Sequence, residues 1–544
     1  MNFHKKYLKY KEKYCKLKIQ LGGNKLIDVI KTGNKVEIEK ELSNFSPEDI
    51  VKKDDEGYTL LDHALSTTNP EIIGLLQIAY TDAIKKIDNK GEYKKALELG
   101  LADFENCKRV FGETNLYTLN SMNNLVIYYI NNANYNKALE LGTESFEKCK
   151  SVFGVDGRCT LTSMSNLALV HFKNRKYKDA NVLETECLDR RRKNLGPRDL
   201  DTLISEYNLA SILCWLRRCD EGIELGTKCL NTRKEILGEN HQLTLASLSN
   251  IALCNYLSLS YEESIRLGEE CLEKQKSTLG QMHPETLKTL NNLIEAYTKK
   301  DKKPDPESLQ KNLDLTIELY NIRKELHKDN DIHPNILNSM CNVAQRYYYT
   351  GNVKKAIEIA NEVKDKLMRK DPNYQTNQYY LRYLDIIGHY YYCLGQFTES
   401  NACNDEYLKI LESLEKNDDT LFLMIEYNKA LGVAVMGNTR EAIALLEETI
   451  KYTVEHKIYG RTHPTMLNYR LTLAKMLDRI NEKSKAEEIC DDVKEIFKSD
   501  EKISNTYVEG LESLIYVRSI ALGPEHSLTL SAKENLTIIN AYLA

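Results

Sequence analysis

Residues 160–201 read TLTSMSNLALVHFKNRKYKDANVLETECLDRRRKNLGPRDLD, and the next 42 residues open the same way, with Thr202-Leu203. The dipeptide returns at Thr118-Leu119, Thr244-Leu245 and Thr286-Leu287, always at an interval of 42. Six places after each Thr stands an asparagine: Asn124, Asn166, Asn208, Asn250 and Asn292. A small residue keeps the same step in the second half of each unit, at Ala96, Ala138, Ala180, Gly222 and Ser264. Self-similarity at a period of about 20–50 residues marks a solenoid, in which each unit buries its apolar face only against its neighbours.

Spacing inside the unit predicts its form. From Thr160, the residues Leu161, Met164, Leu167, Ala168 and Phe172 recur at steps of three and four, one face of a helix. Asn174-Arg175-Lys176 breaks the pattern, and Tyr177, Ala180, Leu183, Cys187 and Leu188 resume it. Leu195-Gly196-Pro197 ends it, with Gly and Pro where a helix C-terminus takes them. The unit is helix A, a tight turn, helix B and a loop. This resembles the tetratricopeptide repeat, with Leu167, Ala168, Tyr177 and Ala180 at that family's packing positions. The linker Leu279-Gly280-Gln281-Met282-His283-Pro284-Glu285-Thr286-Leu287 resembles that of kinesin light chains. The fold class so implied is all-α, a right-handed α-solenoid of about ten two-helix repeats.

Four segments are expected. Residues 1–23 form a lead with Tyr7, Tyr10, Tyr14, Leu17 and Leu21 as a narrow apolar seam among lysines, ended by Gly22-Gly23. It reads as a docking helix with solvated lysines, or as a basic helix that touches a membrane surface. Its wording resembles the lead of many proteins of giant DNA viruses. Residues 24–80 resemble an ankyrin segment in Asp54-Asp55-Glu56-Gly57-Tyr58-Thr59-Leu60-Leu61-Asp62-His63-Ala64, with Gly57 at the turn and Thr59 as helix cap. Leu60 stands where that signature has Pro, and Asp62 where it has His. The segment is expected to cap the longer array. Residues 81–499 carry that array. Past Ser264 its anchors become Asn312, Ala356, Ser400, Ala442 and Ala486, at steps that vary through loop insertions. Residues 500–544 hold a partial repeat whose last helix either carries a capping face or leaves an apolar stripe.

Lys and Arg total 75 against 80 Asp and Glu, a net charge of −5, which argues against nucleic acid as the main partner. No apolar run approaches the ~20 residues that cross a bilayer, so a cytoplasmic protein is expected, in a host cell or virion if the viral source holds. Of 14 cysteines, Cys187, Cys229 and Cys271 recur at the 42-residue step, as do Cys107 and Cys149. Thiols repeating one per unit read as reduced packing groups. His241, His283, His333, His463 and His526 recur at the start of helix A, where an imidazole caps the helix, and they do not converge on a metal. Arg190-Arg191-Arg192 reads as a solvated outer face. Phosphate-loop, dinucleotide, zinc-protease and nucleophile-elbow motifs are all missing, so neither enzyme activity nor a cofactor is expected.

The repeated asparagine lies beyond the Leu/Ala core stripe of helix A. Asn is a mediocre helix former, so its return in unit after unit asks for a reason. In kinesin-light-chain-like repeats, groove-facing asparagines hold the backbone of a bound peptide. The resemblance carries that role onto Asn124, Asn166, Asn208, Asn250, Asn292, Asn342 and Asn428, while Ile386 and Thr472 depart from the pattern. Tyr207, Tyr256 and Lys173 join them as peptide-binding candidates. Trp215 is either an anchor on the same face or buried between units. The expected function is a non-enzymatic adaptor that grips an extended segment of a partner, a host protein if the source is viral. The alternatives are a ladder in which each Asn only pins the neighbouring unit, and a scaffold that associates with itself.

Overall fold

The computed structural model describes residues 26–54, 57–66, 69–300, 305–414, 419–499, 501–522 and 524–543. The basic lead at 1–23 lies outside them. Among the described residues every regular element is helical, and ten two-helix hairpins follow one another. They run from Pro70–Asn89 with Tyr93–Phe111 to Pro464–Arg479 with Lys483–Ser499.

The repeated residues are the ones that shape the loops. Each B helix in the first five hairpins is followed by a glycine in the left-handed region (Gly112, Gly154, Gly196, Gly238 and Gly280, φ from 73° to 93°), which a Cβ would disfavour. In three of the five the Thr hydroxyl six places on donates back to that glycine's carbonyl: Thr118 to Gly112 at 2.7 Å, Thr160 to Gly154 at 2.8 Å, Thr286 to Gly280 at 2.9 Å. The buried hydroxyl thereby finds an acceptor and ties the loop to the next helix. The Thr202 and Thr244 hydroxyls are buried without that bond. His241, His283, His333 and His463 cap their helices as expected, each Nδ1 accepting from the N–H two residues on at 3.2 Å. Between the A and B helices the left-handed position falls on Ala133, Arg175, Arg217 and Leu259. The following N–H closes a wide turn in each case, as Lys176 does on His171 at 2.9 Å.

The periodic thiols pack as read. Cys187, Cys229 and Cys271 are fully buried and donate to the carbonyls of Leu161, Leu203 and Leu245. Burial pushes Cys187 and Cys271 up to about 12, which leaves them inert. One pair departs from that reading, and one pair of free, buried thiols stands in contact. Cys214 and Cys254 form a disulfide, and the Cys149 and Cys159 sulphurs touch at 2.8 Å. The run Arg190-Arg191-Arg192 also departs from it. Arg190 is half-buried and paired with Asp156 and Glu186, Arg192 reaches the buried Glu206 at 2.8 Å, and Arg191 is 2% exposed.

The chain forms two compact units, Met1–Asn292 and Leu293–Ala544. In the first, residues 26–66 pack on Pro70–Asn89 through Leu26, Ile30, Ile38, Leu61 and Ala64. Gly57 turns the chain at φ 88°. Thr59 caps the helix that follows, accepting from the Asp62 N–H at 3.2 Å. Within this unit the array winds back on itself: a Cβ at Gly91, in the first A–B turn, would stand 3.3 Å from Pro284. In the second unit tyrosines dominate the core, with Tyr348, Tyr380, Tyr383, Tyr390 and Tyr392 in one cluster. A helix that the repeat pattern does not contain, Glu501–Leu522, precedes the last one, Ser527–Leu543. That last helix is seated on the array, with Ile539 and Leu536 against Leu467, Leu471 and Phe497.

Candidate peptide-binding hollow

In the first unit the A helices Arg158–Lys173, Leu200–Trp215 and Gln242–Leu257 stand side by side. They enclose a hollow of about 310 Å³ whose lining includes Lys173, Tyr207, Asn208, Trp215, Asn250 and Lys288. Trp215 is not buried between units. It is 41% exposed, with its ring stacked on Tyr177 at 5.6 Å and edge-on to Phe172 at 6.5 Å. The three rings make an aromatic wall. Lys173 and Lys288 are open to solvent yet hemmed in by the hollow. Burial, then the charge of Lys288, lowers the Lys173 ammonium below lysine's ordinary range. The Tyr207 phenol and the Glu285 carboxylate, the latter at 3.3 Å, hold Lys288 above it. Beneath them sits Glu184, wholly buried, which desolvation pushes up to about 7 against hydrogen bonds from Ser205, Ser165 and Asn208 and the charge of Arg191.

The asparagines do not all present themselves alike. Asn166 Nδ2 donates to the Asn123 carbonyl at 3.1 Å, Asn208 to Ser165 Oγ at 3.3 Å, and Asn250 to the Tyr207 carbonyl at 3.4 Å. Each partner lies 43 residues upstream, so one N–H of every carboxamide pins its A helix to the previous one. Asn250 is further committed, accepting from Ser211 Oγ at 2.8 Å, and is 6% exposed. Asn166 and Asn208 are half-buried. Asn124 lines a separate hollow of about 600 Å³ beside Arg158 and Cys159. Asn292 is half-buried, and its amide nitrogen is buried with no partner. In the second unit Asn342 accepts from Arg382 at 2.8 Å. Asn428 lines a cavity of about 220 Å³ with His389, Tyr390 and Tyr392. Tyr256 stands apart from the hollow, edge-on to Tyr261 at 5.7 Å.

This division predicts different costs. Asn250→Ala removes a buried carboxamide and both of its hydrogen bonds, to the Tyr207 carbonyl and from the Ser211 hydroxyl, an expected loss of about 2 kcal/mol, with the hydroxyl left to the Tyr207 carbonyl at 3.2 Å. Asn208→Ala, half-buried and with its helix-to-helix bond at 3.3 Å, should cost less, about 0.5–1 kcal/mol. Urea unfolding of the two variants measures both, and equal costs would contradict the assignment.

Sequence reasoning missed Glu184, Ser211 and the aromatic wall. Glu184 sits on helix B, whose carboxylates all read as surface, and only its place one turn after Ala180 marks it as inward.

Paired A and B helices repeated in register make a tetratricopeptide-type α-solenoid. Residues 118–157, 160–201 and 201–277 match tetratricopeptide repeat families. No curated protein matches the chain. Among solved structures it is similar to a Podosopora anserina protein described as a kinesin light chain with nearly identical TPR-like repeats. Identity there is 22%, over 38% of this chain and 96% of that one, with a TM-score of 0.32. BtubC (BKLC) from P. vanneervenii is 17% identical over 43% and 92% of the two chains, TM-score 0.35. The apo quorum sensor NprR from B. thuringiensis is 14% identical over 68% and 98%, TM-score 0.42. No described helix is long and apolar enough to cross a membrane.

Proposed function

We propose that the first unit is a receptor for an extended segment of a partner protein, held in the hollow bounded by Lys173, Tyr207, Asn208, Trp215 and Lys288. The observation that carries the reading is the hollow itself. An exposed tryptophan, two lysines and a half-buried carboxamide converge there on open space. An amide has two N–H donors and a carbonyl acceptor, so Asn166 and Asn208 retain groups for a ligand backbone after pinning the helices. Asn250 is read as part of the pin alone. The second reading, that the ladder only stabilises the array, draws on those same three bonds. The ankyrin-like cap at 24–80, a viral source and a host partner belong with this proposal and rest on sequence resemblance.

Peptides selected from a random library on the wild-type chain provide the test. Trp215→Ala and Lys173→Glu should each weaken the selected peptides at least tenfold, about 1.4 kcal/mol. Lys173 is exposed, so urea unfolding of its variant should shift by less than about 1 kcal/mol, while Trp215→Ala also loses its stacking on Tyr177 and should cost about 1–2 kcal/mol without unfolding the chain. Selected peptides that bind both variants as tightly as wild type would place the site elsewhere.

A further inference from the structure

Two of the A helices that wall the hollow are joined by a cross-link that the repeat does not require. Cys214, on the A helix Leu200–Trp215, is bonded to Cys254 on the next A helix, Gln242–Leu257, with their Cα atoms 5.6 Å apart. That separation is inside the range a disulfide spans without moving backbone. The two cysteines are 40 residues apart, off the 42-residue register that the inert thiols keep. The position of Cys254 is filled by Ile212 and Ala296 in the flanking units, and that of Cys214 by Phe172 and Tyr256.

The surroundings are fitted to the sulphur. At the small anchor of the B helix, where Ala96, Ala138 and Ala180 stand in other units, this unit has Gly222. A Cβ there would come within 2.5 Å of Cys214 Sγ and 2.8 Å of the Ala210 carbonyl oxygen. The sulphur occupies the space of the missing methyl. The cross-link stands one residue behind the lining of the hollow on both helices. Trp215 follows Cys214 and Leu253 precedes Cys254, and both line the hollow.

We propose that Cys214 and Cys254 are a reversible redox staple that locks two walls of the hollow together. This rests on reading the hollow as the binding site. A peroxide supplies the oxidation and is small enough to reach thiols 1% exposed. One cysteine sulphur, as thiolate, attacks a peroxide oxygen; an S–O bond forms, the O–O bond breaks, and hydroxide leaves and is protonated to water. The second sulphur then displaces the sulfenic oxygen; the S–S bond forms, the S–O bond breaks, and a second water leaves with the remaining thiol proton. Two electrons pass from the sulphurs to the peroxide. A dithiol reductant reverses the bond by exchange. Closed, the staple fixes the A helix that carries Tyr207, Asn208 and Trp215 against the one that carries Asn250 and Leu253. Open, it leaves their spacing to packing and to the Asn250 bonds.

Trp215 is the chain's single tryptophan and stands next to Cys214, so it reports the state of the staple without any ligand. The full chain is treated with hydrogen peroxide or with dithiothreitol. Non-reducing peptide mass mapping should find Cys214 linked to Cys254 only after oxidation. Trp215 emission should fall about twofold when the bond closes, and its quenching by acrylamide should weaken, both reversed by reductant. Cys254→Ser should abolish the response. Cys254→Ala, the residue found at the matching place in the next unit, does the same duty should the serine variant lose helicity. Absence of the linked peptide would overturn the staple. A linked peptide with unchanged Trp215 emission and quenching would overturn its control of the hollow. No peptide ligand enters this assay, so its failure leaves the receptor reading standing, and failed peptide selection leaves the staple standing.

Discussion

Arg233→Ala is expected to destabilise the first unit by about 3–4 kcal/mol, more than the loss of either ladder asparagine. The side chain is 2% exposed, and its guanidinium donates to the Leu243 carbonyl at 2.9 Å, Ser247 Oγ at 2.8 Å and the Leu203 carbonyl at 3.0 Å. Those acceptors belong to the A helices Leu200–Trp215 and Gln242–Leu257, so one B-helix side chain ties two consecutive A helices together. Its charge is spread over hydrogen bonds, and its face stacks on Tyr207 at 5.4 Å. Truncation leaves the partners without their donor at about 1–3 kcal/mol for each unsatisfied group, and opens a cavity as well. The Leu203 carbonyl still accepts from Cys229, which holds the sum to the stated range. In a solenoid the loss is local, because each hairpin leans only on its neighbours. Hydrogen exchange of the backbone amides in Leu200–Trp215 and Cys219–Leu237 measures it. Arg233→Met, which keeps volume and loses only the donors, should cost less. If alanine leaves exchange in those helices unchanged, the guanidinium is not what joins them.

Arg191 repeats the arrangement one unit earlier, donating to the Asp201 carbonyl at 2.8 Å and Ser205 Oγ at 2.9 Å. Here the limits of sequence reading are plain. Arg191 and Arg233 stand 42 residues apart at the position held by Cys107, Cys149 and Gln275 elsewhere, so the register marked them as inward. The three-arginine run at 190–192 pointed the other way, because a cluster of like charges is ordinarily solvated. Only the fold brings a main-chain carbonyl and a serine hydroxyl to one of the three. The fold itself was legible because its landmarks act locally. A glycine at a left-handed turn, a threonine hydroxyl returning to that glycine and a histidine capping a helix each work within a few residues. The hollow was legible in part. Asn208 keeps the 42-residue register of Asn166 and was found by it, with Tyr207 beside it, whereas Tyr256, near the end of its helix, faces the following B helix. The wall of Phe172, Tyr177 and Trp215 draws on the ends of two A helices and the start of a B helix, a meeting no periodicity announces.

Glu184→Gln is expected to stabilise the chain at pH 8 and to leave it nearly unchanged at pH 5. The carboxyl is fully buried and held at about 7 in the folded chain, against 4.5 for the ordinary group. Between those values the folded chain keeps a proton that the unfolded chain has released. The contribution of Glu184 to stability is therefore whole below about pH 4.5 and is lost as pH rises to about 7, with no further change above. The span corresponds to about 3 kcal/mol. Glutamine has the same shape and no charge, so it removes the penalty where Glu184 would be ionised. Ser165 Oγ stands 3.0 Å from each oxygen of the Glu184 carboxyl, and Asn208 Nδ2 donates to that same hydroxyl. Ionisation therefore commits the Ser165 proton to Glu184 and fixes the hydroxyl as an acceptor for Asn208. Protonation lets the acid itself donate to Ser165 and compete with Asn208 for the same lone pairs. The ladder residue at the mouth of the hollow is thus linked to the acid beneath it, and Asn208 should be held more tightly above pH 7 than below pH 5. Urea unfolding followed by Trp215 emission, wild type against Glu184→Gln from pH 5 to 8, gives the difference directly, with every other titrating group cancelled between the two chains. A difference that stays flat across that range would mean that Glu184 is ionised throughout in the folded chain, and that Arg191, with the hydroxyls of Ser165 and Ser205, offsets its burial in full.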